Sequence, residues 1–236
     1  MLIRFVILIF FLLFSVHSDD KNINEKQIKN IIEKYILENP EIIIESLEKF
    51  TSSQKEKEKK SFVKILSNFY DTKVYENLPR IGNIDSKLII VEFVDYNCGY
   101  CKKTLPTIAK LMKKFDNIQI VFIDYPILSE SSEIAARASL AANEQNAYFE
   151  YHTILLNYKK SINQDALYKI AQELSLDIEK FKKDMSSEKI KNNIIKNVKF
   201  ANSLKIRGTP TFIIGKQILP GAYDYEKLKK IILDNS

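Results

Sequence analysis

Cys98 and Cys101 are the only cysteines of the sequence, and they bracket the dipeptide Gly99-Tyr100. A bond between them closes a loop too small to restrain an unfolded chain appreciably, so a structural staple explains the spacing poorly. A pair that cycles between dithiol and disulfide explains it better: one thiolate attacks a foreign disulfide and its neighbour resolves the mixed product. Zinc would need at least two more ligands in tetrahedral array. Past the N-terminal segment the sequence holds a single histidine, His152, which reads as an ordinary helix-face residue. No metal site and no cofactor are therefore expected, and the rival reading of the pair is two thiolates holding a soft Cu(I) ion. Glu92 is the less obvious candidate, a lone carboxyl in an apolar run six positions before Cys98. Buried there, it is costly unless protonated, paired or hydrated, and a raised pKa fits it to pass protons to or from Cys101. The competing expectation is that strand alternation turns Glu92 to solvent.

These groups need a strand and a helix to hold them. Leu88, Ile89, Ile90, Val91, Phe93 and Val94 form a nearly continuous β-branched and aromatic run, the pattern of a strand covered on both faces. After the cysteines, Leu105, Ile108, Ala109, Leu111 and Met112 recur at helical spacing. Cys98 thus falls at a helix start, where unpaired N–H groups and the positive dipole end favour a thiolate. Asp95, Tyr96 and Asn97 read as capping residues, and Pro106 predicts a kink. Ile118 to Tyr125 (IQIVFIDY) is a second strand. Strand, helix and strand make a right-handed parallel βαβ unit, with reactive groups beyond the strands' carboxyl ends.

The rest of the chain is read around that unit. Ser129 to Leu204 carries only helical patterns, a helical insertion in an α/β scaffold that covers the sheet and walls a groove. Phe212 to Ile214, a Gly215-Lys216 turn and Gln217 to Leu219 form a hairpin, and Tyr223 to Leu233 a closing helix. Pro210 is tolerable in trans at a strand start. A cis Thr209-Pro210 bond would instead free the Thr209 amide and carbonyl to pair with a substrate strand.

Upstream, Ile28, Ile31, Ile32, Tyr35 and Ile36 form one apolar stripe, and Ile42, Ile43, Ile44, Leu47 and Phe50 a second. Asn39-Pro40-Glu41 between them predicts a helix restart capped by Asn39. Two short amphipathic helices must bury those faces, either on the chain's own domain or on further copies of it. Gln54 to Lys60 (QKEKEKK) reads as a solvated helix or linker, and Asn77 to Asp85 as a turn. Arg4 ahead of an apolar run from Phe5 to Phe14, with small residues before Asp19, predicts a secretory signal peptide over residues 1–18 and export to the periplasm. The run is too short to span a bilayer. The net charge of +6 is spread over interleaved Lys and Glu with no basic, aromatic-lined cluster, so nucleic acid is not an expected partner.

Taken together, Glu92 in its strand, Cys98-Gly99-Tyr100-Cys101, Pro106, the helical insertion and Gly208-Thr209-Pro210-Thr211-Phe212 resemble the thioredoxin-fold proteins of the DsbA family, from about Val74 to the C-terminus. The resemblance implies an α/β thioredoxin fold with an inserted helical subdomain (about 129–204) over residues 74–236, and a helical extension over 19–73. It implies that Cys98 is an exposed nucleophile, Cys101 a buried resolving thiol, Glu92 the buried acid, and Pro210 a cis proline facing the disulfide. The N-terminal block is similar to that of alphaproteobacterial DsbA-like and ScsC-type proteins, some of which self-associate. Gly99-Tyr100 and Thr209 are similar to those of disulfide isomerases, which sets a simple oxidase role in doubt. The partners so implied are cysteine-containing exported proteins, a membrane redox partner and further copies of the chain. The alternative is a thioredoxin-fold protein of the envelope that binds copper or displays an interaction surface.

Overall fold

The computed structural model describes residues 24–235, and the signal-peptide reading of residues 1–18 lies outside them. The chain divides into two units, one ending at Glu56 and one beginning at Lys57.

In the first, α1 (Glu25–Glu38) opens on a capping box: Asn24 Oδ1 accepts from Gln27 N at 2.9 Å, and Gln27 Oε1 from Asn24 N at 3.0 Å. Asn39 does not open the next helix as expected. Its amide donates back to the Tyr35 carbonyl at 2.8 Å and closes α1. α2 (Glu41–Asp71) then runs for 31 residues, which corrects the expectation of a second short helix. Gln54 to Lys60 lies inside it. That run lacks apolar residues, but Lys, Glu and Gln are strong helix formers, so the helix crosses it without packing to guide it. Ile31, Leu37, Leu47 and Phe50 are all exposed, and no residue of α1 is buried.

The second unit holds the end of α2, a 3-10 turn at Val74–Asn77, and then β1 (Arg80–Gly82), β2 (Leu88–Val94), α3 (Gly99–Lys114) and β3 (Ile118–Asp124). Five helices follow: α4 (Glu130–Asn143), α5 (Tyr148–Asn157), α6 (Gln164–Glu173), α7 (Ile178–Met185) and α8 (Glu188–Ser203). The chain closes with β4 (Thr211–Ile214), β5 (Gln217–Pro220) and α9 (Tyr225–Asp234). The sheet order is β1-β3-β2-β4-β5. β2 and β3 are parallel, in register from Leu88 opposite Ile118 to Val94 opposite Asp124, and the other pairs are antiparallel. This is the thioredoxin fold with α4–α8 inserted between its two halves. The segment read as a plain turn contains β1, a three-residue strand too short to show alternation. Gly82 ends it at φ +93°, where a Cβ would lie 2.5 Å from the Ile118 carbonyl oxygen.

Helices cover both faces of the sheet. Ile90, Val94, Ile118, Ile120, Phe122, Phe212 and Ile214 join α3, the inserted helices and α9 in one core. Ile89, Val91, Phe93, Val121, Ile123 and Ile213 join Leu66 and Phe69 of α2 and the end of α8 in the other. The Phe69 ring stacks on Phe200 at 4.7 Å. Glu92, by strand alternation, shares the face of Ile90 and Val94, so the expectation that it reaches solvent does not hold.

Candidate active site

The site lies where β2 runs out. Asp95 makes the corner there: its Oδ1 accepts from Asn97 N (2.8 Å) and Ser132 Oγ (2.7 Å), and its Oδ2 from the amides of Ile127 (2.9 Å) and Leu128 (3.1 Å). Four donors hold this buried carboxylate, and it ties the strand end to the head of the helical insertion. Asn97 adds to the tie, its amide reaching Ser131 and Ser132 at 2.9 Å each. The expectation that Asp95, Tyr96 and Asn97 cap α3 therefore does not hold. The N-cap position belongs to Cys98 itself.

Cys98 and Cys101 are both free thiols. Cys98 is 7% exposed, less open than expected, while Cys101 is fully enclosed. The Cys98 thiol donates to the Thr209 carbonyl at 3.0 Å, and the Thr209-Pro210 bond is cis. Residues 111 positions apart in sequence are thus brought against one sulfur. The Cys98 pKa is lowered to about 5, chiefly by a hydrogen bond from the Cys101 thiol, with Thr209 and the backbone N–H groups of Cys101 and Tyr100 adding to it against the cost of burial. The Thr209 hydroxyl is buried without a partner while Cys98 is a thiol, and it is free to serve the sulfur once that is an anion. Burial and its donation to Cys98 drive the Cys101 thiol far above its ordinary value. One sulfur is therefore poised as a nucleophile at neutral pH, and the other is held as its proton-bearing neighbour.

Glu92 is buried beneath α3, and burial raises its pKa to about 8. Its Oε1 lies 2.9 Å from Thr104 Oγ1, while Oε2 has no partner. It is close enough to Cys101 for its charge to push the Cys101 pKa higher. Tyr100 is exposed, with Lys103 Nζ 5.1 Å from its ring centre, and Gly99 has open space where a Cβ would project. Nothing in the packing therefore requires glycine at 99, and the Tyr100 ring stands in solvent two residues from Cys98.

His152 lies on a helix face, as expected, but on the inward face of α5. It is buried, accepts from or donates to Tyr96 Oη at 3.0 Å, and sits 4.8 Å from the Phe122 ring. Tyr96 reaches Tyr148 (3.3 Å), which donates to Asp124 Oδ1 (3.2 Å). Burial lowers His152 to about 3 and raises Asp124 to about 7. The sequence offered one signal of this cluster, an acid that closes a mostly apolar strand, IQIVFID. Thr104 gave none. Among the described residues no group of three or more His, Cys, Asp or Glu side chains could hold a metal ion.

A family model described as thioredoxin matches residues 73–234. The chain belongs to the thioredoxin family. Within it, the structural neighbours include DsbA-like and ScsC-like proteins. This thioredoxin-family chain is 28% identical to the thiol-disulfide exchange protein α-DsbA2 of Wolbachia pipientis, with a TM-score of 0.69 over 78% of this chain and 98% of that one. A linker-deletion mutant of Proteus mirabilis ScsC gives 26% identity and a TM-score of 0.67 over 93% and 98%. A model for the N-terminal domain of the copper resistance protein ScsC matches residues 25–57. The probable disulfide bond formation protein D of Bacillus cereus is 30% identical over 67% of this chain and 78% of its own length. Other relatives are named Na(+)/H(+) antiporter NhaA, such as that of Salinispora tropica, 27% identical over 64% of this chain, and the chain spans only 24% of that protein's length.

Proposed function

We propose that this chain is an exported thiol-disulfide oxidoreductase acting on cysteine-containing proteins of the periplasm, with Cys98 as nucleophile, Cys101 as resolving thiol and Thr209-Pro210 as the backbone against which a substrate strand lies. The observation that carries the reading is the Cys98 sulfur, set at the mouth of α3 and facing the cis Thr209-Pro210 bond. In the oxidising direction a substrate thiolate attacks Cys98 Sγ of the Cys98–Cys101 disulfide. The S–S electron pair leaves on Cys101, which takes a proton from Glu92. A second substrate thiolate then attacks the substrate sulfur of the mixed disulfide and releases Cys98 as its stable thiolate. The protein ends two electrons reduced, and a membrane redox partner re-oxidises it. In isomerisation the same Cys98 thiolate attacks a misplaced substrate disulfide and is expelled by another substrate thiol, with no net transfer of electrons.

The exposed apolar residues of α1 and of the start of α2 support a further part of the reading: within residues 19–73, the stretch ahead of Leu66 and Phe69, which pack in the chain's own core, joins copies of the chain, so that several sites face one misfolded client. The name of the model that matches residues 25–57 fits an ScsC-like arm. The test of the chemistry is Cys101→Ala. This variant should accumulate a mixed disulfide when its Cys98 thiolate attacks a scrambled, disulfide-containing client or glutathione disulfide and displaces one thiolate of that bond, an adduct visible by mass spectrometry and lost in the Cys98→Ala, Cys101→Ala double variant. A Cys101→Ala protein that traps nothing would sink the proposal.

A further inference from the structure

The Thr104 hydroxyl is buried on the second turn of α3, 2.9 Å from Glu92 Oε1 and 2.8 Å from the Cys101 carbonyl. It has one proton and two acceptors. When Glu92 is ionised the hydroxyl donates to the carboxylate, since a bond to a charged acceptor is the stronger. When Glu92 is protonated on Oε2, Oε1 is a carbonyl oxygen that still accepts, and the hydroxyl shares its proton between Oε1 and the Cys101 carbonyl. The same side chain thus meets the carboxyl in both of its states. The other carboxyl oxygen, Oε2, has no partner in a sealed apolar setting, where an unpaired polar atom is costly.

Resting on the oxidoreductase reading above, we propose that Thr104 is a positioning residue of the exchange reaction: its hydroxyl clamps Glu92 Oε1 and so leaves Oε2 as the oxygen that trades a proton with the Cys101 sulfur. As a substrate sulfur bonds to Cys98, the Cys98–Cys101 bond breaks and its electron pair passes to Cys101 Sγ. The proton on Oε2 moves to that sulfur, and the resulting carboxylate is held by the Thr104 O–H. In the reverse sense Cys101 gives its proton to Oε2 as its sulfur attacks the mixed disulfide, and Thr104 again shares its own proton with the Cys101 carbonyl. Removing the hydroxyl takes away the hydrogen bond that favours the ionised acid, so Glu92 should hold its proton to higher pH.

The test compares the full chain with Thr104→Val, which keeps the shape, and Thr104→Ser, which keeps the hydroxyl. Two quantities are read against pH: the rate at which Cys101 resolves a preformed Cys98–glutathione mixed disulfide, and the carboxyl carbon shift of Glu92 by NMR. Thr104→Val should move both midpoints upward by about one to two pH units, and Thr104→Ser should restore both. The pH dependence of Cys98 alkylation should stay in place in all three. Midpoints that coincide in the valine and wild-type proteins overturn the proposal, as does a valine effect that serine does not reverse. Should Thr104→Val fail to fold, a serine variant with a displaced Glu92 midpoint would overturn it equally. Absence of any mixed disulfide in the wild-type chain would instead overturn the oxidoreductase reading, leaving the NMR comparison to decide Thr104 alone.

Discussion

The two cysteines differ by a single helical turn and carry opposite protonation preferences, because only the first sits among the donors of the α3 mouth. Alkylation of native, reduced protein by iodoacetamide should therefore show a midpoint near pH 5 from Cys98, moving to about 8.5 when the protein is unfolded in urea. A native midpoint no lower than the unfolded one would remove the thiolate from the mechanism. Glu92 behaves opposite to a salt-bridged carboxylate. Its folded pKa, about 8, lies above the unfolded value, so its cost to stability is absent below about pH 4.5, grows through that interval and is complete above 8. Glu92→Gln should accordingly gain on the wild type as pH rises, on the order of 2–4 kcal/mol more at pH 9 than at pH 4.5. Urea unfolding midpoints at the two pH values check it, and a gain that shrinks as pH rises would contradict the assigned burial of the acid. Asp124, raised to about 7, adds a cost of the same sign over a slightly lower interval.

Among the elements, the smallest is the most exacting. β1 contributes three residues, and it ends at Gly82 because any side chain there would meet the Ile118 carbonyl of β3. Gly82→Ala should destabilise the protein by about 1–3 kcal/mol, read as a lowered urea midpoint with an unchanged slope. An alanine protein as stable as the wild type would mean that this edge is not pinned. How readily each element could be read from the sequence follows from what holds it. β2, β3 and the amphipathic helices of the insertion are fixed by their own apolar spacing, so their order and type were legible. β1 is fixed by the neighbour it pairs with, and Pro79 and Gly82 dress it as a turn. α2 is one helix because its charged middle is made of helix formers, a fact that stripe-counting overlooks. The site divides in the same way. Cys98, Cys101, Glu92 and Pro210 stand out by residue type in their surroundings, whereas Thr104 and the His152 cluster matter only for what the fold sets beside them.

At the scale of the whole molecule, the apolar residues of α1 and early α2 remain open along a stretch otherwise rich in Lys and Glu. If this stretch joins copies of the chain, light scattering should report a multiple of the 27.5 kDa chain mass, less any cleaved leader. Ile32→Asp with Leu47→Asp should return it to a single copy while leaving Cys98 alkylation untouched. A wild-type chain that stays single at all concentrations up to hundreds of micromolar would remove the self-association.

The sheet, finally, is bounded by β1 and β5, outermost strands of three and four residues, the latter closing on Pro220. Such stubs present only a few unpaired amides and carbonyls, and proline supplies no amide at all. An extended stranger drifting past finds almost no ladder to extend. The fold can thus remain crowded among unfolded chains without becoming a seed on which they zip into fibres.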